Sequence, residues 1–594
     1  MRPTDARRPQ RASAVGAAPS GIRRLGRRAS LGAAIIALLV GACSTAPGTA
    51  APDGGVAKAG NLEAIETETR VSGAVDDEVA APGGVPSPAE RDHAAPLRTD
   101  DPPPPPDSRP QIVATAGELL DGLRATLDDD AAETVGVFVV DEHGREVLAH
   151  RPDAPMLPAS TIKIVTAAAA LTTFGADATF TTTVDVTGPI SDDGTIDGDL
   201  VLIGRGDPVL ATERFGRFVY PARPRTPLED LADQLIEAGV RRVEGDLVAV
   251  AERFDAPIRP EGWPDRYFSS FDARNASGLT VDAGLRTTVS WPDPQEWAEL
   301  DADELEAIAA ALELDELDPD LLESGEVELD LELLDPLDPP DGLEPDVRIE
   351  HADDPAEQAA VELVRLLDER DVEVDGTVVT ATERPAVVGR VGRVDSPPMS
   401  ELLRFALRRS DNHLTDAMFV ATGRARTGIG SFASGERALR QTLDRFGIDH
   451  DDAVFADGSG LSRDDRSSAR LLVEVERALL RSRHAAVWRD AMAVMGESGT
   501  LSHRLRGTIA QGRFTGKTGT LRDVTGLVGS VEGSDGRRYH LAVLANDPGQ
   551  GRWLAQRFAD ELTVLLTADL DGCDASLGDD GDGPLGLPLL AVAC

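Results

Sequence analysis

The sequence contains very little lysine. Lys58, Lys163 and Lys517 are the 3 lysines among its 59 basic residues, and the others are arginine. Lys163 closes a Ser-Thr-Ile-Lys segment and Lys517 opens a Lys-Thr-Gly-Thr segment, whereas Lys58 lies in a tract of alanine and glycine. Arginine cannot replace lysine where a neutral amine must form, because its guanidinium does not lose a proton in proteins. Lys163 and Lys517 are therefore candidates for chemistry.

Positive charge as a whole is scarce. The formal net charge is −45 and the sequence pI is about 4.5, which argues against nucleic acid or an anionic lipid surface as the main partner. An acidic surface with little lysine fits a protein that works in high salt. The codon usage of a GC-rich genome would produce the same composition, so both explanations stay open. With 594 residues, 41% of them apolar, we expect a soluble globular protein of more than one domain.

Long hydrophobic runs are also lacking, and the apolar stretch at 31–40 is too short to cross a bilayer comfortably. It follows an arginine-rich start and precedes a Val-Gly-Ala-Cys sequence that ends at Cys43. This order is typical of a bacterial lipoprotein signal, so we predict a leader at 1–43 and lipidation of Cys43. Ordinary secretory cleavage near Ala42 or Ala46 is the alternative. Arg27-Arg28 fits a twin-arginine signal poorly.

Cysteine is nearly absent, with 3 residues in the chain. Beside Cys43, the pair Cys573 and Cys594 could form a disulfide in the Gly/Asp-rich tail at 568–594, or remain as free thiols. The sequence has neither a His-Glu-x-x-His motif nor a cysteine/histidine cluster. We therefore expect no metal and no cofactor.

Two segments have a strongly biased composition. Residues 44–111 are rich in Ala, Pro, Gly and acids and contain five consecutive prolines, which predicts a disordered tether with a stiff portion. Residues 291–346 repeat Asp, Glu, Leu and Pro. We interpret them as a solvated acidic loop, partly helical near 302–313, and a calcium or partner surface is the alternative.

The first candidate site is the segment Ser160–Lys163. Residues 158–174 are apolar and alanine-rich, which predicts a helix with Ser160 in its first turn. A spacing of three residues places the serine Oγ and the Lys163 Nζ on one face. A serine nucleophile needs a base, and lysine serves only if burial or a second cation lowers its pKa. Lys517 could be that cation. By itself the Ser-x-x-Lys pattern is a weak signal.

A second candidate is Ser410-Asp411-Asn412, which follows a helix predicted to begin at Met399. The Ser410 hydroxyl could relay a proton, and the Asn412 amide could hold both Lys163 and a substrate carbonyl. A helix-capping turn is the structural alternative.

The third candidate is Lys517-Thr518-Gly519-Thr520, which we expect to start an edge strand. Gly519 would let a substrate backbone approach closely. The charge of Lys517 and the hydroxyls of Thr518 and Thr520 suit a carboxylate. A plain turn is the alternative.

The three motifs, in this order, resemble the serine nucleophile, Ser-Asp-Asn and Lys-Thr-Gly set of β-lactamases and penicillin-binding proteins. The long separation of the first two motifs narrows the resemblance to the low-molecular-mass class C penicillin-binding proteins, the D-Ala-D-Ala carboxypeptidase/endopeptidase family. It extends over about 112–567. Further matches are Gly-Arg-Gly-Asp-Pro at 204–208, Asp-Gly-Ser-Gly-Leu-Ser-Arg at 457–463, and Gly-Thr-Leu at 499–501 with Arg504.

This resemblance implies an α+β fold in which an antiparallel sheet is flanked by helices. The catalytic domain would comprise 112–180 and 384–567, with two smaller domains inserted at 181–383. The acidic segment at 291–346 has no counterpart in the family. The sequence also departs from the family after Asn412, where His-Leu-Thr-Asp replaces an apolar pair followed by Ala-Glu.

The resemblance further implies a serine-type D-Ala-D-Ala carboxypeptidase, with DD-endopeptidase activity as an additional expectation. Its substrates would be peptidoglycan stem peptides and its inhibitors β-lactams. Ser160 would be the nucleophile, with its backbone N–H and that of Thr520 as the oxyanion hole. Arg463 would add charge to the carboxylate site. The enzyme would lie at the outer face of a bacterial membrane or in the cell wall.

Two other functions remain as alternatives. A non-catalytic, peptidoglycan-binding lipoprotein could retain the fold, and a serine β-lactamase would use the same motifs. His413 could act as an acid or base beside the site, but we expect a histidine on the helix surface.

Overall fold

The computed structural model describes residues 110–126, 134–252, 254, 259–260, 262–264, 266–267, 273–292, 297, 300, 302–312, 343–546, 551–577 and 590–594. The predicted leader with Cys43, nearly all of the predicted tether and residues 313–342 of the acidic segment lie outside these residues. Within the described ranges, no helix combines the length and apolar character needed to cross a bilayer.

The regular elements are numbered in chain order. The described α-helices are α1 (Pro110–Thr126), α2 (Lys163–Phe174), α3 (Glu229–Glu237), α4 (Ala302–Ala311), α5 (Pro355–Asp368), α6 (Met399–Arg409), α7 (Asn412–Thr427), α8 (Phe432–Phe446), α9 (Ala469–Leu480), α10 (Ala485–Ala491) and α11 (Gly551–Asp571). The described strands are β1 (Val135–Asp141), β2 (Glu146–His150), β3 (Thr181–Val186), β4 (Thr195–Ile196), β5 (Leu200–Gly204), β6 (Leu210–Ala211), β7 (Thr226–Pro227), β8 (Arg242–Val243), β9 (Leu247–Ala251), β10 (Leu285–Ser290), β11 (Asp346–His351), β12 (Glu373–Val374), β13 (Val378–Ala381), β14 (Gly389–Asp395), β15 (Ala493–Val494), β16 (Phe514–Leu521), β17 (Val524–Glu532), β18 (Arg538–Ala545), β19 (Asp574–Leu577) and β20 (Leu590–Ala593).

The main sheet joins strands from both ends of the described chain. It has six antiparallel strands in the order β15-β16-β17-β18-β1-β2. Its central strands are apolar on both faces, as in β1, where Val137 and Val139 face one layer of helices and Phe138 and Val140 the other. Helices α1 and α11 cover the first face, while α2, α6, α7 and α9 contribute to the core on the second. Helix α2, which contains Lys163, is therefore buried between the sheet and other helices.

The insertion between the first two motifs contains a second sheet. Its five strands are in the order β13-β9-β5-β3-β14, and α3 and α5 pack on it in a separate apolar core. Strand β14 pairs with β3, so residues 389–395 belong to this sheet. The predicted second catalytic segment starts at 384. Because β14 pairs with β3 of the insertion, this strand pairing places the boundary after residue 395.

Part of the acidic segment is folded. Helix α4 lies where a partly helical stretch is expected, and Leu305 and Ile308 are buried with Trp297 in a small apolar cluster. The described portion of this segment is therefore more than a solvated loop.

The C-terminal tail packs against the catalytic domain. Strands β19 and β20 form an antiparallel hairpin whose leucines lie against the α1 and α11 layer. Cys573 and Cys594 form a disulfide with a Cα–Cα distance of 4.4 Å.

Candidate active site

Ser160 lies on a short 3₁₀ turn, Ala159–Ile162, which we call the nucleophile turn, and α2 begins immediately after it with Lys163. The predicted helix is thus present, but its first turn is 3₁₀ rather than α. The Lys163 Nζ lies 2.8 Å from the Ser160 Oγ. Lys163 is fully buried while Ser160 is half-buried, so a substrate can reach the hydroxyl but water is kept from the amine.

Two glycines allow the nucleophile turn to lie close to its neighbours. A Cβ on Gly460 would lie 2.0 Å from the carbonyl oxygen of Ala159, and one on Gly519 would lie 2.7 Å from that of Pro158. Gly460 also has a φ of +85°, which disfavours any residue with a side chain. These contacts hold the backbone at Ser160 between the third motif and the loop at 457–463.

Within the part of the chain that the structure describes, three hydrogen-bond acceptors surround the amine of Lys163. Besides the Ser160 Oγ, it donates to the Asn412 Oδ1 at 2.7 Å and to the backbone carbonyl of Ser459. Carbonyl oxygens cannot donate a proton, whereas a hydroxyl can. When the amine is neutral, its two N–H bonds are therefore satisfied by Asn412 and Ser459, and its lone pair faces the serine hydroxyl. This is the geometry that a general base requires.

Ser410 is held between two helices and the third motif. It ends α6 with a left-handed φ of 60°, and its Oγ accepts a hydrogen bond from the Lys517 Nζ at 2.9 Å. Lys517 is fully buried and donates also to the carbonyl of Thr518. Burial, followed by the charge of Lys163, holds the pKa of Lys517 well below its usual value. Lys163 is thus close enough to oppose the protonation of Lys517.

Strand β16 carries the third motif in its middle. The expectation that Lys517 starts the strand is wrong, because β16 begins at Phe514. The short β15 pairs only with Thr515 and Gly516, so no described strand pairs with the outer edge beyond Gly516. Thr518 donates its hydroxyl proton to the Thr500 Oγ1 at 2.8 Å. The free edge can accept an extended peptide as a further strand.

Arg223, which the sequence did not single out, connects the insertion to the second motif. Its Nη1 donates to the Asp411 Oδ2 at 2.8 Å, and its Nη2 to the carbonyl of Pro208 at 2.9 Å. The Asp411 Oδ1 meanwhile caps α7 by accepting from the N–H of Leu414. Burial is the largest influence and opposes ionisation of Asp411, but the charges of Arg223 and Arg274 and the Leu414 N–H together outweigh it, so the pKa of Asp411 is lowered. Arg223 thereby fixes the residue between Ser410 and Asn412.

His413 is not on the helix surface, contrary to expectation. It is 3% exposed, and its Nδ1 lies 3.2 Å from the Arg223 Nη2. Burial and then the Arg223 charge place the pKa of His413 well below its usual value. A neutral Nδ1 can accept from the guanidinium, so His413 supports Arg223.

Asp457 organises the loop at 457–463. Its two oxygens accept hydrogen bonds from the N–H groups of Ser459, Gly460 and Ser462, and from the indole N–H of Trp263 in the insertion. The loop wraps around this carboxylate, which turns the Ser459 carbonyl towards Lys163. The Asp-Gly-Ser-Gly pattern indicates such a turn in the sequence. No sequence pattern indicates that Trp263 is its partner.

The chain matches a known family over most of its length. A profile of the D-Ala-D-Ala carboxypeptidase 3 (S13) family matches residues 119–567. The chain belongs to this family. The D-alanyl-D-alanine carboxypeptidase of an Actinomadura species is 31% identical over 444 residues, which cover 70% of this chain and 79% of that protein. The carboxypeptidase DacB of Mycolicibacterium smegmatis is 27% identical over 465 residues, covering 77% and 86%.

A solved structure supports the fold of this S13 family member. The crystal structure of penicillin binding protein 4 from Haemophilus influenzae superposes with a TM-score of 0.58 at 20% identity, covering 76% of this chain and 99% of that one. The predicted α+β penicillin-binding fold is confirmed, as is the resemblance to the class C proteins.

Not every predicted site residue reaches the catalytic cluster in this S13 protein. Arg463 donates to Asp523, which lies in the turn between β16 and β17, and none of the catalytic residues is among its hydrogen-bond partners. Its role in substrate binding stays a prediction, as do those of Thr518, Gly519 and Thr520. Among the described residues, no group of three or more His, Cys, Asp or Glu side chains is arranged to hold a metal ion.

Proposed function

We propose that this protein is a serine-type D-Ala-D-Ala carboxypeptidase that cleaves peptidoglycan stem peptides through an acyl-enzyme on Ser160. The observation that carries the proposal is the buried Lys163 amine, whose two carbonyl partners leave its lone pair for the Ser160 hydroxyl. Membership of the S13 family and the carboxypeptidase names of its relatives support the substrate class.

The proposed reaction begins when Lys163 takes the hydroxyl proton and the Ser160 Oγ attacks the carbonyl carbon between the two terminal D-alanines. The N–H groups of Ser160 and Thr520 stabilise the oxyanion, as the family resemblance implies. The C–N bond then breaks, and Ser410 relays the proton held by Lys163 to the departing amine of D-alanine. Lys517, together with Thr518, holds the carboxylate of that residue. Water hydrolyses the resulting ester and regenerates the serine.

Labelled penicillin tests the nucleophile directly. A β-lactam acylates the same serine, so the wild type should become labelled and Ser160→Ala should not. Thermal unfolding of the variant controls for folding. Labelling that persists in Ser160→Ala would contradict the assignment.

Incubation with a pentapeptide and with cross-linked muropeptide dimers tests the substrate. Release of D-alanine from the pentapeptide, detected by mass spectrometry, is expected, and monomers released from dimers would reveal DD-endopeptidase activity. Labelling without turnover would indicate the non-catalytic wall-binding alternative. Rapid release of hydrolysed penicillin without peptide cleavage would indicate a β-lactamase.

We also propose that the chain is exported and anchored by lipid at Cys43. The arginine-rich start, the short apolar stretch and the Val-Gly-Ala-Cys sequence support this location. The Cys573–Cys594 disulfide supports it independently, because disulfides persist in oxidising compartments. Incorporation of labelled palmitate that is lost in Cys43→Ala is the expected result. Equal labelling of both proteins would refute the anchor.

A further inference from the structure

A buried carboxyl group in α7 lies close enough to Lys163 to interact with its charge. Asp416 in α7 is 1% exposed, and its Oδ1 accepts the N–H of Gly458 at 2.9 Å. Within the described residues, its Oδ2 is buried without a hydrogen bond of ordinary length, and so is the hydroxyl of the neighbouring Ser459. Burying two polar atoms without hydrogen-bond partners reduces stability, unless the two atoms form a hydrogen bond with each other.

The surroundings of Asp416 favour its neutral form. Burial raises the pKa of Asp416 well above its usual value, and the negative charge of Asp457 raises it further. Lys163 and the Ser459 hydroxyl act in the opposite direction but do not outweigh these two causes. A protonated Oδ2 can donate, and the hydroxyl oxygen of Ser459, which also lacks a partner among the described residues, can accept from it.

The segment that Asp416 contacts also contacts the catalytic base. The carbonyl of Ser459 accepts from the Lys163 Nζ, and the carbonyl of Gly458 accepts from the Thr166 Oγ1 at 2.8 Å. Residues 458 and 459 are thus held between α2 on one side and α7 on the other. A shift of this segment would move one of the two carbonyls that orient the amine.

We propose that Asp416 is a positioning residue that acts as a neutral carboxylic acid. Its Oδ1 holds the amide of Gly458, its Oδ2–H donates to the Ser459 hydroxyl, and the fixed segment presents the Ser459 carbonyl to Lys163. Neutrality matters because a carboxylate at this place would stabilise the protonated lysine and weaken it as a base. This inference rests on the proposed role of Lys163 in acyl transfer.

Two substitutions at position 416, to asparagine and to alanine, test whether the carboxyl group of Asp416 acts in its neutral or its charged form. The amide of Asp416→Asn can accept from Gly458 and donate to Ser459 as the protonated acid does, but it cannot ionise. Asp416→Ala leaves the Gly458 N–H unpaired, and we expect it to slow acylation by labelled penicillin on the order of tenfold. Asp416→Asn should recover most of that loss.

The pH dependence of acylation gives the decisive comparison. The charged and titratable groups near Asp416 are Asp457 and Lys163, and Lys517 lies beyond Lys163. If Asp416 is neutral, Asp416→Asn leaves the acid limb of the pH–rate profile in place. A limb displaced to lower pH, or an asparagine variant as slow as the alanine variant, would show that a carboxylate is required and would overturn the proposal.

Ser459→Ala provides a second test should Asp416→Ala fail to fold. It leaves the Oδ2–H unpaired, so acylation should slow several-fold, whereas an unchanged rate would contradict the predicted bond. These readouts use penicillin, not peptide. If the wild type is acylated by penicillin but releases no D-alanine from peptide, the proposed carboxypeptidase function is wrong. The acylation rates of the Asp416 and Ser459 variants still test the role of Asp416 in that case.

Discussion

Replacement of Arg223 by methionine should damage the active site from a distance. Methionine retains much of the volume of the side chain but removes its charge and its donors. Both members of the Arg223–Asp411 pair are almost completely buried, with side-chain exposures of 3% and 2%. The substitution therefore leaves a buried carboxylate beside Ser410 without its principal partner.

The expected loss of stability is large for one substitution. Removing one partner of a buried ion pair costs about 3–5 kcal/mol, because the remaining charge is not compensated. Arg274 also lowers the pKa of Asp411, which places the loss in Arg223→Met near the lower end, about 3 kcal/mol. Protonation of Asp411 in the variant would also reduce the loss of stability, because a neutral carboxyl group is less costly to bury than a carboxylate.

Urea unfolding and acylation by labelled penicillin measure the two consequences. We expect a lowered unfolding midpoint and slower acylation, since Ser410 and Asn412 flank the residue that Arg223 holds. Arg393→Met is a matched control, because the Arg393–Asp395 pair is 47% and 38% exposed and should contribute less than about 1 kcal/mol.

A double variant separates charge from packing. Asp411→Asn keeps an acceptor for the α7 cap while removing the buried charge, so adding it to Arg223→Met should recover part of the lost stability. If Arg223→Met unfolds like the Arg393 control and is acylated at the wild-type rate, then the Arg223–Asp411 pair contributes neither to stability nor to acylation.

Three further predictions concern other parts of the structure. Lys163→Arg should lower acylation by at least about 100-fold, because guanidinium cannot act as a base, whereas Lys517→Arg should retain some activity; equal losses in rate measurements would refute this division of roles. Gly460→Ala should abolish labelling by penicillin, since its Cβ would lie 2.0 Å from a backbone oxygen of the nucleophile turn. The control is Gly428→Ala, which is also at positive φ but has no atom within 4 Å of the added Cβ. Its free energy of unfolding in urea should fall by only about 1–2 kcal/mol. Burial raises the pKa of Glu476 from 4.5 to about 7, so its contribution to stability is full below pH 4.5 and is lost as the pH rises through about 7. Urea unfolding of Glu476→Gln across that range should show a smaller decline than the wild type, and parallel declines would contradict it.

The local parts of the site were predictable from the sequence. A spacing of three residues brings Ser160 and Lys163 together in any helical turn, and the structure joins their side chains at 2.8 Å. Strands β1, β2, β17 and β18 of the main sheet could also be predicted from their apolar runs and intervening turns, whereas the start of β16 could not. The order and types of the three motifs were sufficient to indicate the family, because each motif is contiguous in the chain.

The rest depended on contacts between segments far apart in the sequence. Arg223 reaches Asp411 across 188 residues, and Trp263 reaches Asp457 across 194, with no local pattern to connect them. The burial of His413 had no signal either, because a polar residue on a helix is buried only when another part of the chain covers it. The sequence by itself determined which groups can do the chemistry. The tertiary structure decided which groups hold them in place, since burial and charge pairing arise only once distant segments pack together.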